Sequence, residues 1–367
     1  MLRCGERQKD AIQPNFNRSI LFDFQGAEVS SNAGFILLRE IDDRFSIIGP
    51  MGDCLEDLRS PAHTKHALGQ MVRQRVYQIA VGYEDCNDAE FLRIDPDLRL
   101  PIGKDHKAGA GRSRLSRLEN DVLGIEAGLQ ALDAALTWSI DTLLRRKKKK
   151  RLIIDLDSPE DPAHGKPEGV AYNGHFAKNC FHPLFGFTGE GDCLGAKLRP
   201  GNVHSADGAL EFIKPMVERY RGWFKLFWLR GDAAFAKPEI YEYCEEQRIT
   251  YFIRLPANDN LDKLVAPHLN RPVGRPPKNG IQVKVVDLQY QAESWHKPHR
   301  VVAKIEWHQG ELFPRIAFVL TNSRLSAGKL VKVYNGGAIW ETGSRRAKIL
   351  SAGTRPFPSV SRPTKPL

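Results

Sequence analysis

The chain has 367 residues, enough for two or three domains, and its 41% hydrophobic and 27% charged residues are a globular composition, which excludes a disordered chain. Lys and Arg number 54 against 44 Asp and Glu, a formal net charge of +10, which favours a polyanionic partner, nucleic acid before an acidic membrane surface. Six scattered cysteines without a C-x-x-C pair exclude a disulfide scaffold and a paired-ligand zinc site, and His164, His175 and His182 are too loose a cluster to replace one. The opening MLRCGERQKD has no apolar signal-peptide core, and no apolar run is long enough to span a membrane.

In chain order, residues 1–60 offer only short apolar runs, FILLRE and FSIIGP, broken by Gly and Pro. Residues 63–80 predict a helix whose buried stripe is Leu68, Met71, Val72, Val76 and Ile79, with Arg73 and Arg75 on other faces. Residues 115–144 predict more helix, with Leu115, Leu118, Val122, Leu123 and Leu129 facing inward. That stretch ends in seven consecutive cations, Arg145, Arg146, Lys147, Lys148, Lys149, Lys150 and Arg151, which repel one another and should stay solvated. Such a strip suits phosphate binding, as do Arg112, Arg114 and Arg117 in GRSRLSR. The region 1–151 is therefore expected to be a largely helical DNA-binding region.

The pattern changes at 152. LIIDLD is a buried-strand run ending in carboxylates, followed by the strand candidates CFHPLFGF and CLGAKLR around a TGEGD turn. Residues 205–222 predict a helix capped by Ser205, KLFWL a strand, 238–247 a helix opened by Pro238, and TYFIRL a further strand. The order is three strands, helix, strand, helix, strand over 152–255, the expected catalytic core. Residues 256–330 are Pro-rich and β-prone, with IQVKVVDL, VVAKIEW and RIAFVLTN as strands of a β-rich insertion. The remainder, 331–367, is expected to be a residual catalytic segment and an irregular tail, because 342–367 has six Lys or Arg, no Asp or Glu and four prolines.

Carboxylates carry the chemistry. Asp155 and Asp157 stand two apart on one strand and so share a face, with Asp157 nearer the strand end and Asp232 closing a second strand candidate. Carboxylates converging from different elements suit Mg²⁺ or Mn²⁺, and a pair of such ions cuts and rejoins phosphodiesters by in-line displacement. The competing reading makes these Asp residues loop caps, where Asp is common. Arg230 suits either a phosphate or a neighbouring carboxylate.

The stretch GYEDCNDAEFLRIDP (82–96) closely resembles a motif of insertion-sequence transposases of the thirteen-eighty group. SRLSRLEN, YNGHF, LRPGN, LRGDAAFAKPEIYEYCE and WHKPHRVVAKIEW follow in the family's order, covering the chain from about 75 to 335. The resemblance implies an α/β protein with an RNase H-like mixed-sheet domain, a β-rich insertion and a DDE triad. It also implies double-stranded DNA partners (element ends and target), a homodimer in the DNA complex, and a bacterial cytoplasmic, nucleoid-associated location. Asp157 matches the first Asp, although Pro159 replaces the family's Thr and so leaves Asp155 in play; Asp232 matches the second. At the family's Tyr, Arg, Glu and Lys spacing stand Tyr334, Gly337, Glu341 and Lys348, so Glu341 is the third carboxylate and the Arg is missing. A one-base shift in reading IWETGSRRAKIL permits a run resembling the family's helix, with Gly at the Glu place. The chain is thus expected to leave its ancestral frame near Gly336 or Gly337. Two other functions fit the same motifs: a nuclease or resolvase on the same core, and an end-binding remnant that does no chemistry.

Overall fold

The computed structural model describes residues 13–20, 32–57, 59–60, 62, 64–103, 107–163, 167–274 and 280–335. These fall into two compact units, one ending at Arg146 and one beginning at Lys147.

The first unit is helical. It comprises α1 (Gly34–Phe45), α2 (Gly49–Asp53), α3 (Leu68–Val81), α4 (Ala89–Leu92), α5 (Pro96–Arg99), α6 (Arg112–Arg117) and α7 (Glu126–Lys147), the last residue of α7 opening the next unit. Leu68, Met71 and Val72 of α3 enter a core with Phe35, Leu92, Leu98 and Leu115, as the apolar spacing predicts. Ile79, however, is 37% exposed, and Arg75 is buried instead, paired with Glu119. Tertiary bonding overrides the apolar stripe here. Gln74 exchanges two 2.8 Å hydrogen bonds with the Ala110 backbone, and Arg73 pairs with the buried Asp42 at 2.9 Å.

The helix expected over 115–144 is broken. A π-helical turn spans Leu118–Leu123, and α7 starts afresh at Glu126, which leaves Leu129 51% exposed. Glycine permits the break: a Cβ on Gly128 would lie 1.9 Å from the Val122 carbonyl oxygen. The motif beginning GYED proves to be cap chemistry. Asp85 accepts from Asn87 N at 2.8 Å, and Asp95 caps α5 through Asp97 N at 2.9 Å.

The second unit carries β1 (Arg151–Asp157), β2 (Asp161–Pro162), β3 (Ala171–Asn173), β4 (Lys178–Phe181), β5 (Leu184–Thr188), β6 (Cys193–Lys197), α8 (Ala209–Tyr220), β7 (Leu226–Gly231), α9 (Pro238–Glu246), β8 (Thr250–Leu255), α10 (Asp259–Val265), β9 (Gln282–Tyr290), β10 (His299–Trp307), β11 (Arg315–Thr321) and α11 (Ala327–Asn335). Eight strands form one mixed sheet in the order β6-β5-β1-β7-β8-β11-β10-β9. β6 pairs antiparallel with β5 and β5 antiparallel with β1, while β7 lies parallel to β1 and β8 parallel to β7. The β-prone segments of 281–322 do form strands, and they continue this same sheet, because β11 pairs with β8 in antiparallel register. β2, β4 and β3 make a small second sheet. Ser205 caps nothing: α8 begins at Ala209 behind Gly208, whose φ of 67° lies in the left-handed region that glycine tolerates.

Candidate carboxylate site at the end of the central strands

The parallel pairing of β1 and β7 places Asp155 opposite Arg230. Two residues further on, Asp157 ends β1 and Asp232 follows directly on β7, so alternation brings both to the face of that pair. Hydrogen-bonded strands lie about 4.8 Å apart, a separation within reach of a shared cation.

The two Asp residues of β1 differ in what they touch. Asp155 is 5% exposed and receives both Nε and Nη2 of Arg230 at 2.5 Å. Burial pushes its carboxyl above the usual range, and the guanidinium works against that. Asp157 is 8% exposed at the strand end. Asp232 is half-buried, and its Oδ1 accepts from Ala234 N at 2.9 Å, so the cap reading of this residue is realised alongside its place at the site. Arg230 is 7% exposed and engaged with Asp155, so the carboxylate partner is the one of its two sequence readings that is seen.

Behind Asp157 lies a polar network that sequence reasoning missed. Arg199, from LRPGN, donates to Ser158 Oγ at 2.7 Å, to the His182 carbonyl at 2.9 Å and to the Asp207 carbonyl at 2.5 Å. The His182 ring sits 3.0 Å from the carbonyls of both Ser158 and Val203. Ser158 is the residue after Asp157, so this network holds the strand end that presents the carboxylate. Asn173, from YNGHF, donates to the Gly201 carbonyl at 2.6 Å, joining two motifs that are far apart in sequence. An Arg and a His inside apolar runs were the available signal.

The last described helix arrives at the same place. Tyr334 of α11 donates its hydroxyl to the Gly231 carbonyl at 3.4 Å, one residue before Asp232. Burial raises that phenol to about 12. Gly337, Glu341 and Lys348 lie outside the described residues. Among the described residues no group of three His, Cys, Asp or Glu is placed to hold a metal ion. Two hard oxygen donors on neighbouring strand ends still fit Mg²⁺ or Mn²⁺, which keep several waters, with a third donor to come from elsewhere.

The basic strip is exposed except at the half-buried Lys147, and several of its cations are paired. α7 stops at Lys147, and Lys148 takes a left-handed φ of 45°. Lys147 pairs with Asp192 at 2.5 Å and with Glu190 at 3.4 Å, and Lys149 also pairs with Glu190. Arg151 lies over the Trp228 ring at 3.8 Å, and Arg146 over Phe45 at 4.8 Å. Arg145, Lys148 and Lys150 are exposed. The strip stands at the start of β1, and Asp157 at its end. In the first unit, Arg112 donates to Asn87 at 3.0 Å, and Arg114 and Arg117 line a cavity of about 710 Å³ together with His66 and Asp121.

The sequence comparison names the family. The chain belongs to the transposase DDE domain group 1 family, whose model matches residues 12–355. It is a DNA transposase by family. No curated protein matches it. Among solved structures it is similar to the piggyBac transposase in a cryo-EM synaptic complex with hairpin DNA. The identity is 12%, over 87% of this chain and 73% of that one, with a TM-score of 0.41. Among the described residues no helix is long and apolar enough to cross a membrane.

Proposed function

We propose that the second unit holds an RNase H-like core that cuts and joins DNA with Asp157 and Asp232 as two of its carboxylates and Glu341 as the third. The observation that carries this is the placement of Asp157 and Asp232 at matching ends of adjacent parallel strands. The strand order supports it: an antiparallel β6-β5-β1 meander followed by β7 and β8, both parallel to β1, is the RNase H-like arrangement. Asp157, Asp232 and Glu341 would hold Mg²⁺ or Mn²⁺, and Asp155 stays with Arg230. A divalent cation there would activate the attacking oxygen, water or a 3′-hydroxyl, and steady the leaving oxygen. The chain's part is to fix two carboxylates on rigid strands, with the Ser158–Arg199–His182 network keeping the end of β1 in register.

The DNA partners in this reading are the terminal inverted repeats and the target, held by a homodimer. Exposed cations Arg112, Arg114, Arg117, Arg145, Lys148 and Lys150 supply phosphate contacts. The test is Mg²⁺-dependent cleavage of a duplex carrying the element end. Asp157→Asn and Asp232→Asn should each abolish cleavage while end binding persists. Undiminished cleavage by either variant sinks the assignment of that carboxylate.

A second reading has its own observation. The segment NGGAIWETGSRRAK puts two adjacent glycines before Glu341 and another after it, each costing about 1 kcal/mol relative to Ala in a helix interior. A chain whose third carboxylate is poorly held binds element ends and cuts weakly. Comparing this chain with one whose frame is restored and whose third Glu is in place separates the readings. Equal cleavage by both would show that the tail serves as it stands.

A further inference from the structure

We propose that Arg230 is a positioning residue, a clamp that ties β1 to the last described turn of α11, the helix that precedes Glu341 in the chain. The inference rests on reading Asp157 and Asp232 as the site. Three atoms of one guanidinium carry the argument. Nε and Nη2 are spent on Asp155, and Nη1 donates to the Val333 carbonyl at 3.0 Å.

Val333 lies in the last described turn of α11. A guanidinium on that carbonyl is a charge-assisted hydrogen bond. The neighbouring residue adds a second tie on the same β7 segment, Tyr334 to the Gly231 carbonyl. Asp155, Arg230, Gly231 and Tyr334 enclose a recess of about 10 Å³, room for about one water. Leu330 and Val331 of α11 pack on Phe252, Val302 and Val319, and Val333 and Tyr334 pack against the same cluster. Apolar packing thus runs through the last described turn of α11, and Arg230 adds a polar tie there.

This gives Asp155 a task distinct from that of Asp157. Asp155 orients the fork, which a lysine cannot copy because it lacks the planar pair of donors. The two aspartates of LIIDLD then divide the work: one keeps the clamp, the other faces the chemistry.

The clamp is tested on the full chain by hydrogen exchange of the α11 amides and by Mn²⁺ binding followed by electron paramagnetic resonance. Arg230→Met and Arg230→Lys should speed exchange in the last turn of α11 by about tenfold, the loss of one charge-assisted hydrogen bond. The deciding variant is Asp155→Met with Arg230→Met, which removes both buried charges and so restores the sheet. In that variant the last turn of α11 should stay unprotected, and half-saturation by Mn²⁺ should move to higher concentration. Recovery of α11 protection in the double variant would reduce Arg230 to a counter-ion for Asp155. Parent-like Mn²⁺ binding in the double variant would show that the clamp orders α11 without serving the site. Asp157→Asn judges the underlying reading separately: parent-like Mn²⁺ binding by that variant removes the carboxylate site, while the exchange result still decides whether the clamp exists.

Discussion

Asp155 and Asp157 are one strand step-pair apart, and their substitution should fail in different ways. Asp155→Asn leaves Arg230 buried at 7% exposure without a full counter-charge, which costs about 3–5 kcal/mol and lowers the melting temperature. Asp157→Asn should leave the melting temperature near the parent's and remove metal-dependent cleavage. Thermal unfolding and the cleavage assay, run on both variants, check this; a stable, inactive Asp155→Asn would reverse the two roles. Asp232→Asn should also fold, because an amide oxygen caps Ala234 N as a carboxylate does. Gly201 makes a packing prediction. A Cβ there would meet the Cys180 carbonyl oxygen at 2.3 Å and the Ala171 carbonyl oxygen at 2.4 Å, so Gly201→Ala should destabilise by about 1–3 kcal/mol in denaturant titration. The Gly of LRPGN is thus explained by the close approach of two backbones, and an unchanged midpoint would remove that account.

Among the elements, α9, β8 and β10 are joined by a buried polar cluster. Glu245 of α9 meets the Tyr251 hydroxyl at 3.0 Å, His299 Nδ1 at 3.1 Å and Lys297 at 2.5 Å. Burial lowers the pKa of His299 below its ordinary 6.5, with Lys297 acting in the same direction and Glu245 and Glu242 against it. Burial also pushes Glu245 up, but Lys297, Tyr251 and His299 outweigh it, and its pKa ends below 4.5. Both groups have depressed folded values, so both contribute stability that is present above their unfolded pKa and lost as pH falls through the folded one. Melting temperature should therefore begin to fall as pH drops below about 6.5, and a further loss should follow below about 4.5. His299→Gln should flatten the first decline and leave the second. A first decline of the same size in that variant would move its origin elsewhere.

For the molecule as a whole, the net charge of +10 predicts DNA binding that weakens steeply with salt. Lys147 and Lys149 already pair with Glu190, so the exposed Lys148 and Lys150 should carry the effect. Lys148→Ala and Lys150→Ala should each reduce the slope of log K against log salt by about 0.9. A slope unchanged by both substitutions would take the strip out of the DNA footprint.

Much of this molecule was legible in the sequence because the signals were local. The runs LIIDLD, KLFWL and TYFIRL became β1, β7 and β8 since a short apolar run bounded by polar residues has few other places to go. The family motifs likewise pointed to a transposase, and the family comparison bears that out. What only the tertiary structure decided was pairing. A π-turn that the lack of a side chain at Gly128 permits broke the expected helix, and buried bonds to Asp42 and Ala110 reset the inner face of α3. β9, β10 and β11 read as a block of strands, but the register of β11 on β8 made them part of the main sheet. Arg230 looked equally suited to a phosphate or a carboxylate. Its choice followed from the parallel register that sets it opposite Asp155, a relation between residues 75 apart that no local period encodes.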